Sequence, residues 1–173
     1  MASLGHIAVG MAAGRWWNPA RPGRAMLGLS ALAMLPDADV IGMACGVPYG
    51  APWGHRGATH SIAIALVTGA AFAWLARRST TRPVAAAFVV AILVAVSHGL
   101  LDAMTDGGRG IALLWPMTTT RYFFPWRPIP VAPIGLGFLS EEGLAVAAWE
   151  AALFMPVFAY ALWPRRWRRT LRP

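Results

Sequence analysis

His98 and Asp102 stand four residues apart in an apolar stretch, so a helix would carry the imidazole and the carboxylate on one face, a turn apart. Such a pair can ligate a cation or make a packing hydrogen bond between helices. The segment His55-Arg56-Gly57-Ala58-Thr59-His60-Ser61 adds two imidazoles. Their spacing of five is awkward on one helix face, which places His55 on the entering loop and His60 on a first helical turn, with Thr59 or Ser61 as the cap. In Pro36-Asp37-Ala38-Asp39 the proline disfavours helical geometry just before it. The preceding helix is therefore expected to stop, leaving Asp37 and Asp39 on an extended turn where paired carboxylates bind or bridge cations. His6, alone in an apolar segment, is an extra ligand if it falls at the same end of the molecule.

The expected metal ligands are thus His6, Asp37, Asp39, His55, His60, His98 and Asp102, and the chemistry they suit is metal-assisted hydrolysis. Asp37 or Glu142, left outside the ligand set, would accept a proton from water, and Arg56 would bind an anionic group or stabilise developing charge. Mixed nitrogen and oxygen donors suit Zn2+ best among divalent ions, with Mn, Fe or Ni as alternatives.

Three apolar stretches can carry these residues as membrane spans: His60–Ala76, Pro83–Leu101 and Gly143–Trp163, at 17, 19 and 21 residues. Two shorter ones, Met1–Gly14 and Ala25–Leu35, precede them and are too short to span as straight helices. The expected fold is all-α, a multi-pass membrane bundle of about five helical segments in a single domain, 1–173. An irregular external cap over 103–140 and a basic tail over 164–173 complete it. Eleven of the fifteen arginines, including Arg15, Arg21, Arg24, Arg77, Arg78 and Arg82, fall in one alternate set of connections. The positive-inside rule puts that set and the carboxyl terminus in the cytoplasm and the amino terminus outside. All four histidines and six of the seven acids then gather at the outer end; Glu150, inside a span, is the exception. Trp16, Trp17, Trp163 and Trp167 read as interfacial anchors.

Apolar residues are 57% of the chain and charged ones 13%, against about 25% charged in soluble domains. That leaves too little polar surface to wrap a soluble particle and suits a perimeter of lipid. The formal charge is +8, but the arginines sit between apolar stretches, which points to membrane orientation and membrane lipids as partners and away from nucleic acid. A single cysteine, Cys45, excludes an internal disulfide.

The order of motifs resembles the LexA-regulated, inner-membrane-associated metal-dependent hydrolases, the YdjM-type family. The residues that match are Gly5-His6, Leu35-Pro36-Asp37-Ala38-Asp39, His55 to Ser61, His98-Gly99-Leu100-Leu101-Asp102, and then Thr105, Gly110 and Leu114-Trp115-Pro116. The resemblance covers about His6 to Pro116 and implies a multi-pass protein of the bacterial inner membrane that acts as a metal-dependent hydrolase. Its His/Asp arrangement also looks distantly like the zinc phospholipase C group, which by analogy implies two or three zinc ions and a phosphoester, so that one to three ions are in view. A lipid or other small phosphoester at the outer face is the substrate class this suggests. The competing class is non-catalytic: a metal-holding membrane scaffold or a transporter. Apart from Glu150, Thr68 and a few small hydroxyls, however, no polar path crosses the bilayer.

Overall fold

The computed structural model describes residues 3–164. Of the expected basic tail only Pro164 falls within that range; Trp167 lies outside the described residues. Helix α1 (Ser3–Trp17) turns back over residues 18–21 into α2 (Pro22–Met34), and the two cross at bare backbone. A Cβ on Gly10 would sit 2.4 Å from the Ser30 Cα, and one on Gly14 2.3 Å from the Met26 nitrogen. Small residues one turn apart allow this approach, and van der Waals contact then holds helices that water cannot drive together. Helices α4 (Ile62–Ala76) and α5 (Val84–Ala103) form a second hairpin, and α5 packs on α1 and α2. Six of the ten residues in the buried apolar core between them are alanine, consistent with the same close packing. The last segment, α6 (Glu141–Leu153) and α7 (Met155–Leu162), lies against α1.

The expected helical segments all form, and no strand occurs among the described residues. Their lengths differ from expectation. The α-helix does stop before Pro36, at Met34, but no extended turn follows: Leu35 keeps right-handed helical angles (φ −57°, ψ −39°), and the chain tightens into a 3-10 turn over Leu35–Asp39 before α3 (Val40–Ala44). Pro36 falls in the first turn of that tighter stretch, where its missing N–H costs little. Pro22–Ala44 therefore runs 23 residues, long and apolar enough to cross a membrane, as is Val84–Ala103. By contrast α4, at 15 residues, reaches only about 22 Å against a hydrocarbon core of about 30 Å. The α6–α7 pair is bent by 65°, at a break where Pro156 removes a helical donor. Large apolar side chains such as Leu27, Val67, Leu75, Val89 and Leu93 face outward around the bundle, a perimeter suited to lipid. Trp17 is not at that perimeter: it is buried edge-on against Phe72, with Nε1 donating to Ser79 Oγ.

Residues 104–140 form the irregular cap, with isolated bridges Thr105–Ile129 and Ile111–Tyr122 and a 3-10 turn at Gly135–Leu139. Arg121 ties it to the loop before α4 by donating to the carbonyls of His55, Tyr49 and Ala51.

The α1–α2 crossing gives a test. Gly10→Ala should lower unfolding stability in mixed micelles by about 1–3 kcal/mol, the usual cost of overpacking. Gly23→Ala, whose Cβ would meet nothing within 4 Å, should leave it nearly unchanged. Equal midpoints for the two variants would mean that α1 and α2 do not cross this closely.

Candidate metal centre

Three elements bring four side chains to one place. Asp37 comes from the 3-10 turn after α2, His60 from a 3-10 turn (Ala58–His60) just before α4, and His98 and Asp102 from the last turns of α5. All four are buried, and one ligand atom from each lies within 4.8 Å of the others, a group that could hold a metal ion. His60 Nε2 is 3.4 Å from Asp37 Oδ1 and 3.5 Å from Asp102 Oδ2; His98 Nε2 is 3.6 Å and 4.0 Å from the same two atoms. Tetrahedral coordination at bonds of about 2.0–2.1 Å separates ligand atoms by roughly 3.3–3.4 Å, so a small contraction would close the set on an ion. Both Asp37 oxygens and the Nε2 atoms of His60 and His98 are buried without a hydrogen-bond partner among the described residues. Buried polar atoms are seldom left so, and several converging on one point are what a cation would satisfy. The residues fit a divalent ion.

Both imidazoles are set to present a lone pair. His98 Nδ1 lies 2.7 Å from the Ala33 carbonyl, which can only accept, so that nitrogen carries the proton and Nε2 faces the cluster. Asp39 does the same for His60. One of its oxygens accepts from His55 Nδ1 at 2.7 Å; the other accepts from Thr59 Oγ1 at 2.7 Å and lies 3.3 Å from His60 Nδ1. Asp39, His55 and His60 make a second potential ligand group, but its donor atoms are already spent on one another. The 3-10 geometry explains the division of labour. With about three residues per turn, positions two apart point in different directions, so Asp37 faces the α5 ligands and Asp39 faces the His55 loop. Gly99 lets the His60 turn lie directly on α5, since a Cβ there would stand 2.6 Å from the His60 carbonyl oxygen.

His6 stacks on His98 with ring centroids 3.9 Å apart and puts Nε2 3.4 Å from Asp102 Oδ1. It borders the four-residue group without belonging to it. Glu150 holds it there: its Oε2 accepts from the backbone N–H of Leu4 at 2.7 Å and of Gly5 at 3.3 Å, capping α1 from another helix. Such a bond between helices is the structural alternative for an acid inside a span. Arg56 is fully buried beside the cluster, its Nε 3.3 Å from Asp102 Oδ2 and its Nη1 donating to the Gly107 carbonyl. Three carboxylates and one guanidinium leave two negative charges, which one dication cancels. Burial alone would disfavour a charged His60, but the carboxylates of Asp102, Asp37 and Asp39 around it outweigh that and hold its pKa up at about 10.

Of the residues singled out by sequence, Asp37, His60, His98 and Asp102 share one point; Asp39 and His55 stand behind His60; His6 and Arg56 flank. Glu142 is not brought in: it is exposed on the first turn of α6 and shares a groove with Asp106 and Trp149. Pattern reading missed the roles of Thr59 and Gly99. Thr59 competes with Ser61 as a cap, and Ser61 takes that place, accepting from the Ile64 N–H. A glycine between two ligand candidates on a helix was the signal for a close approach at Gly99.

The family described as YdjM inner membrane protein matches residues 1–169. Inner membrane protein YbcI of Escherichia coli (strain K12) is 43% identical over 105 residues, a match spanning 61% of this chain and 61% of that protein. No solved structure matches the chain.

The carboxylates around His60 favour its protonated form in the absence of metal, so ion binding should displace a proton. Titrating Zn2+ at roughly pH 7.5 should release about one proton per ion, read by calorimetry in two buffers of different ionisation heat. Affinity should fall as pH falls, since the proton then competes better. His60→Ala and His98→Ala should each lose the ion; metal contents equal to wild type would remove the site.

Proposed function

The chain belongs to the YdjM inner membrane protein family, and on that premise we propose that it is a membrane-bound, metal-dependent hydrolase acting on a lipid or other phosphoester. Arg56 carries the reading. It adopts a left-handed backbone angle (φ 63°), and its side chain is buried with Nε against Asp102 Oδ2 at 3.3 Å, while Nη2 has no hydrogen-bond partner among the described residues. Strain of this kind in a residue other than glycine costs about 1–3 kcal/mol and tends to occur where function requires it. A purely structural ion needs Arg56 only as a countercharge to Asp102, which leaves Nη2 and the backbone strain without a use. An oxyanion entering beside the ion does, because Nη2 can donate to it as charge develops.

The remaining roles follow from the contacts. His60, His98, Asp37 and Asp102 would hold the ion, and Zn2+ suits two imidazoles and two carboxylates. A bound Zn2+ supplies Lewis acidity, polarising the ester and acidifying water. Asp37, with both oxygens unspent, can keep one on the ion and accept a proton from water with the other. Asp39, seconded by His55 and Thr59, fixes the His60 ring, and the distant Glu142 takes no part. The positive-inside rule would face this end of the bundle outward, where lipid headgroups are within reach.

One observation favours a second reading, a metal-stabilised scaffold: all four ligands are buried, and closed four-residue sets are the habit of structural sites. Arg56→Gln separates the two. In the hydrolase it should keep its metal while losing about 100-fold or more in turnover of a phosphodiester. If metal-loaded wild type hydrolyses nothing in a panel of phospholipids and phosphoesters, yet loses stability on chelation, the scaffold reading replaces the enzymatic one.

A further inference from the structure

The other end of the bundle holds a cavity of about 540 Å3 where the α1–α2 turn meets the end of α4. Its rim carries the exposed Arg21, Arg24 and Arg78, and its apolar floor is lined by the partly exposed Ala25, Gly28, Phe72 and Ala76 over the buried Trp17 and Leu29. None of the three guanidinium groups has a carboxylate partner among the described residues, where every ion pair lies at the metal centre. The walls are tied together. Asn18 Nδ2 donates to the Ser79 carbonyl at 2.7 Å, Thr80 Oγ1 to the Trp17 carbonyl at 3.0 Å, and Trp17 Nε1 to Ser79 Oγ at 3.3 Å. These bonds join the two hairpins and preform the cavity.

We propose that this cavity seats the headgroup of an anionic phospholipid, with the phosphodiester on the three arginines and the start of an acyl chain on the apolar floor. Charge is one argument: three unneutralised cations converge at the polar end of helices whose sides face lipid. Arginine donates in a planar fork that matches phosphate oxygens. The floor is the second argument, because its accessible lining of Ala25, Gly28, Phe72 and Ala76 offers nothing to a small hydrated anion and a favourable surface to a glycerolipid. The site is independent of the metal centre, which lies at the opposite ends of α1, α2 and α4.

The test uses the full chain in neutral detergent. Phosphatidylglycerol should raise the unfolding temperature and stay bound in native mass spectrometry, while phosphatidylcholine and millimolar inorganic phosphate should do neither. The triple variant R21Q/R24Q/R78Q should bind phosphatidylglycerol at least about tenfold more weakly, since each basic residue near an anionic lipid contributes appreciably. Its metal content should be unchanged. Should the triple variant not fold, R24Q/R78Q against R24K/R78K gives the same comparison, with retention expected in the lysine pair only. Equal effects of phosphatidylcholine and phosphatidylglycerol, or undiminished binding in the glutamine variants, would overturn the proposal. A shift by inorganic phosphate as large as that by the lipid would also overturn it, in favour of a small-anion site.

Discussion

Three buried carboxylates gathered around His60 cannot all remain charged without compensation, and the arrangement of the polar end follows from that demand. Removing an ion from water costs several kcal/mol even after the protein relaxes. Asp37, Asp39 and Asp102 are all buried, two of them close enough to share partners in His60 and His98. Arg56 supplies one positive charge and a proton on His60 another. A dication does better than the proton, because it attracts all four ligands at once. Structural zinc in small peptides is worth about 10–16 kcal/mol at neutral pH, enough to offset such a burial cost.

That electrostatic demand sets tolerances on the helices. The candidate ligands sit on the turn after α2, on the end of α5 and on the turn before α4, so each helix must arrive in register with the others. In lipid there is little hydrophobic drive to bring helices together, and close contact of small residues takes its place. The crossing of α1 and α2 at Gly10 and Gly14 and the alanine-rich interior between the hairpins are that contact here. Glu150, reaching across to the start of α1, fixes the depth at which His6 meets His98.

The two ends of the bundle are chemically opposite. One gathers the described acids and histidines under an irregular cap, and the other carries arginines with no acid to meet them. A helical membrane protein keeps such groups at its ends, since its middle must be apolar and its backbone bonded within itself. The separation leaves the ends free to bind different things, a cation at one and an anion at the other.

Composition and periodicity determined the all-helical, lipid-facing character, because a chain with so few charges has no other way to cover its surface. They also determined which residue types would meet, since costly polar side chains in apolar segments have few places to go. Membership of the ligand set was a matter of tertiary structure. Asp37 and Asp39 are equivalent as sequence, and only the 3-10 path through Pro36 turns one toward α5 and the other toward His55. The same path lengthened the second segment into a candidate span, because a proline's preference on its neighbour is a bias of the backbone that packing can override. Glu142 and Arg56 were equally eligible partners for the site. The three-dimensional course of the cap buried one against Asp102 and left the other in a solvent-facing groove, and no local pattern encodes a contact made across forty-six residues.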